Sequence, residues 1–201
     1  MHRPPRPRSG LAPRCRHQSA AARQAADPAA RERFLREACA AARLHHPNIL
    51  PIYTVDEAGG CPFFTMPFAT GGTLQDALDR GEAPAPERLR QIAAAVAAAL
   101  GEAHASGIIH RDIKPANILF DAADPAKVWV CDFGIAQRTG AETAPQTPGA
   151  AVAGTPHYMS PEQARGEPLD GRSDLFSLGA VFPLRRRGDA VRGRLGGRGL
   201  G

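Results

Sequence analysis

The most informative stretch of the chain is His110-Arg-Asp-Ile-Lys-Pro-Ala-Asn-Ile-Leu119. Asp132-Phe-Gly134 follows it, with its aspartate fifteen residues after Asn117. The short apolar stretches Ile118 to Phe120 and Val128 to Val130 separate the two polar segments, with a turn-like segment between them. Two carboxylates and an amide on adjacent loops are the hard oxygen donors that Mg²⁺ prefers, so the pattern predicts a metal cradle.

Together and in this order, the two motifs resemble the catalytic and metal-binding loops of the protein kinase family. The resemblance implies that Asp112 accepts the hydrogen bond of a substrate hydroxyl and that Lys114 reaches the transferring phosphate. It also implies that Asn117 and Asp132 hold magnesium. Phosphoryl transfer needs mainly positioning and neutralisation of phosphate charge, which these residue types supply. We therefore expect Asp112, Lys114 and Asn117 to be catalytic.

By this resemblance, residues 110–119 are called the catalytic loop. Motifs after this loop extend the resemblance. Gly154-Thr-Pro-His-Tyr-Met-Ser-Pro-Glu162 is similar to the end of a kinase activation segment, with Ser160-Pro161-Glu162 where the family usually has Ala-Pro-Glu. Ser173-Asp-Leu-Phe-Ser-Leu-Gly179 is similar to the start of the helix that anchors the catalytic loop, where Asp174 would hold the loop backbone. The motif order is most similar to bacterial (Hanks-type) serine/threonine kinases.

Upstream, Phe34-Leu-Arg-Glu37 and Leu44-His-His-Pro-Asn-Ile49 resemble the regulatory helix and the strand after it. In this interpretation Met66 guards a nucleotide pocket and residues 67–69 form a hinge that binds adenine. Met66 and Phe68 could equally be core residues, and Glu37 a solvated helix residue. The resemblance implies nucleotide contacts at Met66, Phe68, Ala69, Leu119 and Asp132, and regulatory roles for Glu37, Arg111 and Thr155, with Arg111 pairing with a phosphate on the activation segment.

The patterns of apolar and turn residues predict a helix-rich α+β chain. We expect residues 27–182 to form a protein-kinase-like domain, with an incomplete small lobe followed by the N-terminal part of the helical large lobe. The Arg/Pro-rich residues 1–26 and Arg/Gly-rich residues 183–201 are predicted to be disordered. Predicted elements are a helix capped by Asp27 with Pro28 first, strands Ile49 to Val55 and Phe63 to Phe68 around a Gly59-Gly60 turn, a short helix capped by Thr73, a helix from Glu87 to Ala105, and one from Ser173 or Asp174.

The net charge of +5 belongs to the two ends of the chain. Residues 1–23 carry six arginines and no acid, and residues 185–201 carry six arginines and one aspartate, so the middle is acidic. Specific nucleic-acid binding through these arginines is not expected, because no recognition motif or interleaved aromatic residue accompanies them. No apolar run is long enough to cross a bilayer and no secretory signal is recognisable, so we expect a cytoplasmic protein.

The family's Gly-rich loop and the lysine of its nucleotide lobe have no counterpart in this chain. The only lysines are Lys114 and Lys127, and the only glycine before Gly59 is Gly10. By analogy with the removal of one transition-state donor, the missing lysine alone would slow the reaction roughly a hundred- to a thousandfold. Both ends are rich in Ala, Arg, Gly and Pro, and we expect one or both to derive from a frame disruption.

The leading hypothesis is ATP- and Mg²⁺-dependent phosphorylation of serine or threonine hydroxyls in a protein substrate. The alternative is a catalytically dead kinase-like binding scaffold or a nonfunctional fragment. The two hypotheses differ in whether phosphate is transferred at all, and both follow from the resemblance rather than from composition.

Overall fold

A computed structural model describes residues 15–19, 28–133 and 156–182. Within these ranges the architecture is α+β, with a three-stranded antiparallel sheet, a two-stranded antiparallel sheet and five α-helices. The strands are β1 (Cys15–Ser19), β2 (Thr54–Ala58), β3 (Cys61–Pro67), β4 (Ile118–Phe120) and β5 (Val128–Val130). The helices are α1 (Pro28–Ala41), α2 (Leu74–Asp79), α3 (Pro86–Ala105), α4 (Pro161–Arg165) and α5 (Gly171–Val181), with 3₁₀ turns at Pro115–Asn117 and Pro156–Tyr158.

The larger sheet has the strand order β1-β3-β2 and is built around a tight hairpin. Gly59 and Gly60 both have positive φ, as a two-residue turn between right-twisted strands requires, so the predicted turn is confirmed. The predicted strand from Ile49 to Val55 is wrong in its bounds, because pairing with β3 begins only at Thr54. Ile49 forms an isolated parallel bridge to β5, and Pro51, which has no N–H to donate, interrupts the ladder after it.

Strand β1 lies within the stretch predicted to be disordered. Cys15 pairs with Pro67 and Ser19 pairs with Phe63, antiparallel along β3. The structure therefore differs from the prediction at these five residues. The segment Cys-Arg-His-Gln-Ser has no apolar alternation, and the backbone edge of β3 accounts for the pairing. The other residues of the two tails lie outside the described residues, and the domain limits at 26/27 and 182/183 remain predictions.

Helix α1 packs on β3. It begins at Pro28 as predicted, whereas the cap expected at Asp27 lies outside the described residues. Its buried stripe includes Phe34 and Ala38, and the Phe34 ring stacks on that of Phe64 with 5.9 Å between centroids. This stacked pair joins the helix to the same core cluster that continues into α3 and β5.

Helix α3 is the central element of the core. It buries Ile92, Val96, Ala99, Leu100 and Ala103 on one face, at the steps of three and four residues that the sequence predicted. This face packs against β5 and α5. None of the helices in the described residues is both long and apolar enough to span a membrane.

Helix α5 begins two to three residues earlier than predicted, at Gly171. The Asp170 carboxylate caps it by accepting the Arg172 N–H at 2.9 Å, so the cap precedes the expected Ser173. The predicted cap of α2 is confirmed: the Thr73 side chain and Asp76 form a reciprocal capping box.

The segment after β3 is held against β4 by two hydrogen bonds. The Gly71 N–H donates to the Phe120 carbonyl at 3.1 Å, and the Phe120 N–H donates to the Gly72 carbonyl at 2.9 Å. A Cβ on Gly71 would lie 2.6 Å from the Phe120 carbonyl oxygen, so only glycine permits this approach. The backbone contact holds the segment after β3 against the C-terminal end of β4.

We predict that Gly71→Ala lowers the free energy of unfolding by on the order of 2 kcal/mol, because backbone atoms must move to admit the methyl group. Gly101→Ala is the matched control, because Gly101 lies inside α3 with open space at its Cβ position. There the same substitution should stabilise by about 0.5–1 kcal/mol. Urea unfolding of both variants measures the two values, and equal midpoints would contradict the prediction.

Candidate functional site

The loop between α3 and β4 is anchored by one buried carboxylate. Asp174, 1% exposed, accepts the His110 N–H at 2.8 Å and the Arg111 N–H at 2.7 Å. The His104 Nε2 lies 2.7 Å from the same carboxylate, on the oxygen that also accepts from His110. The predicted role of Asp174 as the group that holds the loop backbone is therefore confirmed.

His110 is fully buried, and each of its ring nitrogens has a hydrogen-bond partner. Its Nε2 lies 2.9 Å from the Cys131 carbonyl, and the Asp112 N–H donates to its Nδ1 at 3.2 Å. A neutral imidazole with its proton on Nε2 satisfies both contacts, since one nitrogen then donates and the other accepts. Burial lowers the pKa of His110, against the opposing effect of the Asp174 carboxylate, so the neutral form is favoured.

Two residues of the site have left-handed backbone. Arg111 has φ of +68° and Asp132 has φ of +64°, and within the described residues they are the only non-glycine residues with positive φ. This conformation costs roughly 1–2 kcal/mol per residue and persists where surrounding bonds enforce it. Arg111 Nε is buried and finds no hydrogen-bond partner among the described residues. Strain and an unsatisfied buried donor thus occur together on the residue before Asp112.

The Asp112 carboxylate is oriented through one oxygen. Lys114 Nζ donates to Asp112 Oδ2 at 2.7 Å. The Asn117 side-chain amide donates to the Asp112 carbonyl at 2.8 Å and to Oδ2 at 3.1 Å. In the part of the chain that the structure describes, no group hydrogen-bonds to Oδ1. The three residues predicted to be catalytic therefore lie together, with one carboxylate oxygen of Asp112 available.

Asn117 and Asp132 are brought together by the β4–β5 pair. Ile118 pairs with Val130, so the residue before β4 and the residues after β5 lie at the same end of the hairpin. The Cys131 N–H donates to the Asn117 carbonyl at 3.1 Å, which holds the next residue, Asp132, beside Asn117.

The donor set of Asn117 and Asp132 consists of an amide oxygen and a carboxylate. These atoms fit magnesium, which proteins usually bind through one or two such groups together with phosphate oxygens. The described residues contain no group of three or more His, Cys, Asp and Glu side chains that could hold a metal by themselves. The site therefore suits a cation that is shared with a ligand.

The predicted nucleotide contacts lie on β3, on the segment that follows it and on β4. Met66 is buried at the end of β3, and Phe68 and Ala69 follow it, both half-buried. Leu119 is half-buried on β4 and forms an isolated bridge with Thr73. Met66 is also part of the main hydrophobic cluster, as the alternative interpretation allowed.

The predicted regulatory residues are spread over three parts of the chain. Glu37 is half-buried on α1, Arg111 lies in the catalytic loop, and Thr155 lies outside the described residues. β1, the strand before α1, contains no lysine.

Sequence reasoning missed two residues that hold the loop. His104 lies on the buried side of α3, four residues after Leu100, where a polar side chain indicates a buried partner. Gln163 lies three residues after Ser160 and completes a capping box that the sequence pattern Ser-x-x-Gln could have signalled. Glu162, expected from the motif, accepts the Ser173 hydroxyl at 2.6 Å, and this bond lowers its pKa.

Comparisons with known proteins agree on one family. Residues 17–184 match the family model described as Protein kinase domain. The chain is 45% identical over 162 residues to the serine/threonine-protein kinase PknB of Mycobacterium leprae, covering 79% of this chain and 26% of that protein. It is 42% identical over 155 residues to the DNA damage-responsive serine/threonine-protein kinase RqkA of Deinococcus radiodurans, covering 76% and 23%.

Solved structures agree with the sequence comparisons. The crystal structure of the PknI kinase domain from Mycobacterium tuberculosis is similar with a TM-score of 0.63 and 34% identity. The alignment covers 84% of this chain and 63% of that one. The chain spans about a quarter of the length of the curated relatives named above.

We predict that Asp174→Asn lowers the free energy of unfolding by on the order of 3 kcal/mol. The new NH₂ group would face buried N–H groups whose hydrogen bonds the carboxylate now accepts, and a buried donor without a partner is costly. Asp170→Asn is the control, because asparagine caps a helix as well as aspartate does and Asp170 is exposed. Denaturant midpoints of the two variants measure the difference. A loss at Asp174 no larger than that at Asp170 would contradict the anchoring role.

We predict that His110 makes stability depend on pH below neutrality. Its folded pKa lies below the unfolded value of about 6.5, so the unfolded chain binds the proton more readily. Its contribution to the free energy of unfolding should fall by up to about 1.4 kcal/mol per pH unit, from about pH 6.5 down to its folded pKa. Above that window the contribution should be constant.

His110→Gln removes this titration and should flatten the slope of stability against pH just below about pH 6.5. His45→Gln, at an exposed histidine, is the matched control and should keep the slope of the unsubstituted chain. Urea unfolding at a series of pH values gives the three slopes. Parallel slopes for His110→Gln and the unsubstituted chain would refute the assignment.

Proposed function

Because the chain belongs to the protein kinase family, we propose that it transfers the terminal phosphate of ATP to serine or threonine hydroxyls of a protein substrate. The similarity to bacterial (Hanks-type) serine/threonine kinases supports this choice of substrate. The proposal concerns this chain, which covers 63% of the length of a solved kinase domain.

The geometry of Asp112 carries the proposal. Lys114 and Asn117 hold Oδ2, which leaves Oδ1 to accept the hydrogen bond of an incoming hydroxyl. The hydroxyl oxygen then bonds to the terminal phosphorus of ATP while the bond to the leaving ADP oxygen breaks. The hydroxyl proton passes to the Asp112 carboxylate or to the transferred phosphate. Positioning of this kind contributes about 10²–10⁴ in rate.

Lys114 has two tasks in this scheme. Its ammonium group orients the Asp112 carboxylate through the contact at 2.7 Å, and it would place a positive charge near the transferring phosphate. Phosphoryl transfer spreads negative charge over the equatorial oxygens, and a nearby cation stabilises that charge. Lys114 is half-buried, so water screens the charge only in part.

Asn117 and Asp132 are the proposed magnesium residues. A magnesium ion bound there would neutralise phosphate charge. This chain's own contribution is to hold the two side chains at one end of the β4–β5 hairpin through the Cys131 N–H bond. We propose that the adenine contacts Met66, Phe68, Ala69 and Leu119, which lie on β3, on the segment after it and on β4.

Arg111 and Thr155 form the proposed regulatory pair. Arg111 places a guanidinium beside Asp112, and its buried Nε has no hydrogen-bond partner among the described residues. A phosphate on Thr155 would provide acceptor oxygens for such a group. Glu37 on α1 is the further proposed regulatory position.

The alternative, a kinase-like binding scaffold, is favoured by one observation. Lys114 and Lys127 are the only lysines in the chain, and β1 contains none. The phosphates of ATP therefore lack the small-lobe cation of the family, and we expect phosphate transfer to be slow. The proposed location of the protein is the cytoplasm.

We predict that the 201-residue chain transfers labelled phosphate from ATP to a generic basic protein in the presence of Mg²⁺. Asp112→Asn should lower this rate at least about a hundredfold, because the amide cannot accept the hydroxyl proton. Asp79→Asn, at an exposed residue of α2, is the control and should retain the rate.

A thermal-shift titration separates the two functions. A midpoint that rises with ATP and Mg²⁺, without any transfer, would identify a binding scaffold, because a ligand of the folded state must stabilise it. Transfer that survives Asp112→Asn would contradict the assignment of Asp112. The absence of both phosphate transfer and a midpoint shift would overturn both functions.

A further inference from the structure

The side chain of Gln163 bridges helix α4 and the catalytic loop. Its Nε2 donates to the Arg111 carbonyl at 2.6 Å. Its Oε1 accepts the Ser160 N–H at 3.1 Å, and the Ser160 hydroxyl accepts the Gln163 N–H at 3.3 Å. The orientation of the amide is fixed by its partners, since a carbonyl can only accept and a backbone N–H can only donate.

The bond to Arg111 acts on a strained peptide. Arg111 has φ of +68°, and its N–H is held on the other side by Asp174 Oδ1 at 2.7 Å. The Arg111 carbonyl and the Asp112 N–H belong to one planar peptide group. Gln163 therefore restrains the peptide from which the Asp112 side chain starts. Without Gln163, this part of the backbone is restrained only by the bond from the Arg111 N–H to Asp174 and the bond from the Asp112 N–H to His110.

Helix α4 is itself tied to the anchor helix α5. The Ser173 hydroxyl donates to Glu162 Oε1 at 2.6 Å, and Ser173 precedes Asp174. The carbonyl side of Arg111 is thus held from α4 and the N–H side from α5, and a third bond joins these two helices. This arrangement makes the position of α4 a determinant of the catalytic loop.

We propose that Gln163 is a positioning residue for Asp112. It transmits the docking of α4 to the catalytic loop through the Arg111 carbonyl. The expected effect of Gln163 on catalysis rests on the proposed function of Asp112. The expected effect of Gln163 on the loop itself does not. A helix cap alone would explain the contact with Ser160 but not the donor aimed at Arg111.

Two substitutions separate capping from positioning. Gln163→Glu keeps a carboxylate oxygen for the Ser160 N–H, and glutamate is a favoured capping-box residue, but an ionised carboxylate cannot donate to the Arg111 carbonyl. Ser160→Ala removes the hydroxyl that caps the Gln163 N–H and leaves the amide bond to Arg111 possible. Gln91→Glu, at an exposed glutamine of α3, controls for the added charge.

The first measurement is amide hydrogen exchange of the full chain, which does not depend on activity. In Gln163→Glu the Asp112 amide should exchange about tenfold faster, as expected for the loss of one hydrogen bond. The free energy of unfolding should fall by no more than the about 1.4 kcal/mol that corresponds to this tenfold change, because the bond is lost from the native state. Ser160→Ala should lower the urea midpoint and leave Asp112 protected, and Gln91→Glu should change neither.

The second measurement is the dependence of this protection on pH. The carboxyl group introduced by Gln163→Glu can donate to the Arg111 carbonyl once it is protonated. Protonation of His110, which accepts the Asp112 N–H, affects both chains alike, so the ratio of Asp112 exchange rates between this variant and the unsubstituted chain should approach one as the pH falls. A purely structural defect would not be reversed in this way. In a transfer assay, Gln163→Glu should lower kcat about tenfold with the KM for ATP retained.

The outcomes are distinguishable from failure of the proposed function. Faster Asp112 exchange in a chain that transfers no phosphate would support the positioning role and refute the kinase activity. Unchanged Asp112 exchange and unchanged kcat in Gln163→Glu would overturn the proposal. So would loss of protection in Ser160→Ala equal to that in Gln163→Glu, because the cap alone would then explain the effect.

Discussion

The buried carboxylate of Asp174 is the interaction on which the rest of the site depends. It accepts two backbone N–H groups of the catalytic loop and contacts the His104 ring, and these groups come from two other segments of the chain. A buried carboxylate is costly to desolvate unless donors surround it, so its position and theirs determine each other. Since His110 also contacts Cys131, the position set by Asp174 extends to the residue that precedes Asp132.

The left-handed backbone of Arg111 follows from this constraint. With its N–H directed at Asp174 and its carbonyl directed at Gln163, the residue has little choice of conformation. Hydrogen bonds from α4 and α5 together offset the free-energy cost of the left-handed conformation. In return, the loop holds Asp112 so that one oxygen contacts Lys114 and Asn117 and the other is available.

Elements with strong local signals were predictable, and elements made by distant partners were not. The apolar stretches at β4 and β5, the stripe of α3 and the Thr73 cap all follow from nearby residues. Strand β1 could not be found, because its pairing depends on the edge of β3 rather than on its own side chains. The clustering of Asp112, Lys114 and Asn117 follows from the motif, whereas the contact of Gln163 with Arg111 joins residues 52 positions apart and no local pattern encodes it.

The separation between Asp174 and the loop it anchors has a consequence for how the chain acquires its structure. The bond from His110 to Asp174 spans 64 residues, and closing such a loop costs about 4 kcal/mol in chain entropy. During synthesis the catalytic loop leaves the ribosome long before its anchor does, so its strained geometry cannot yet be enforced. A nascent chain that ends before α5 therefore lacks the carboxylate that accepts the His110 and Arg111 N–H groups.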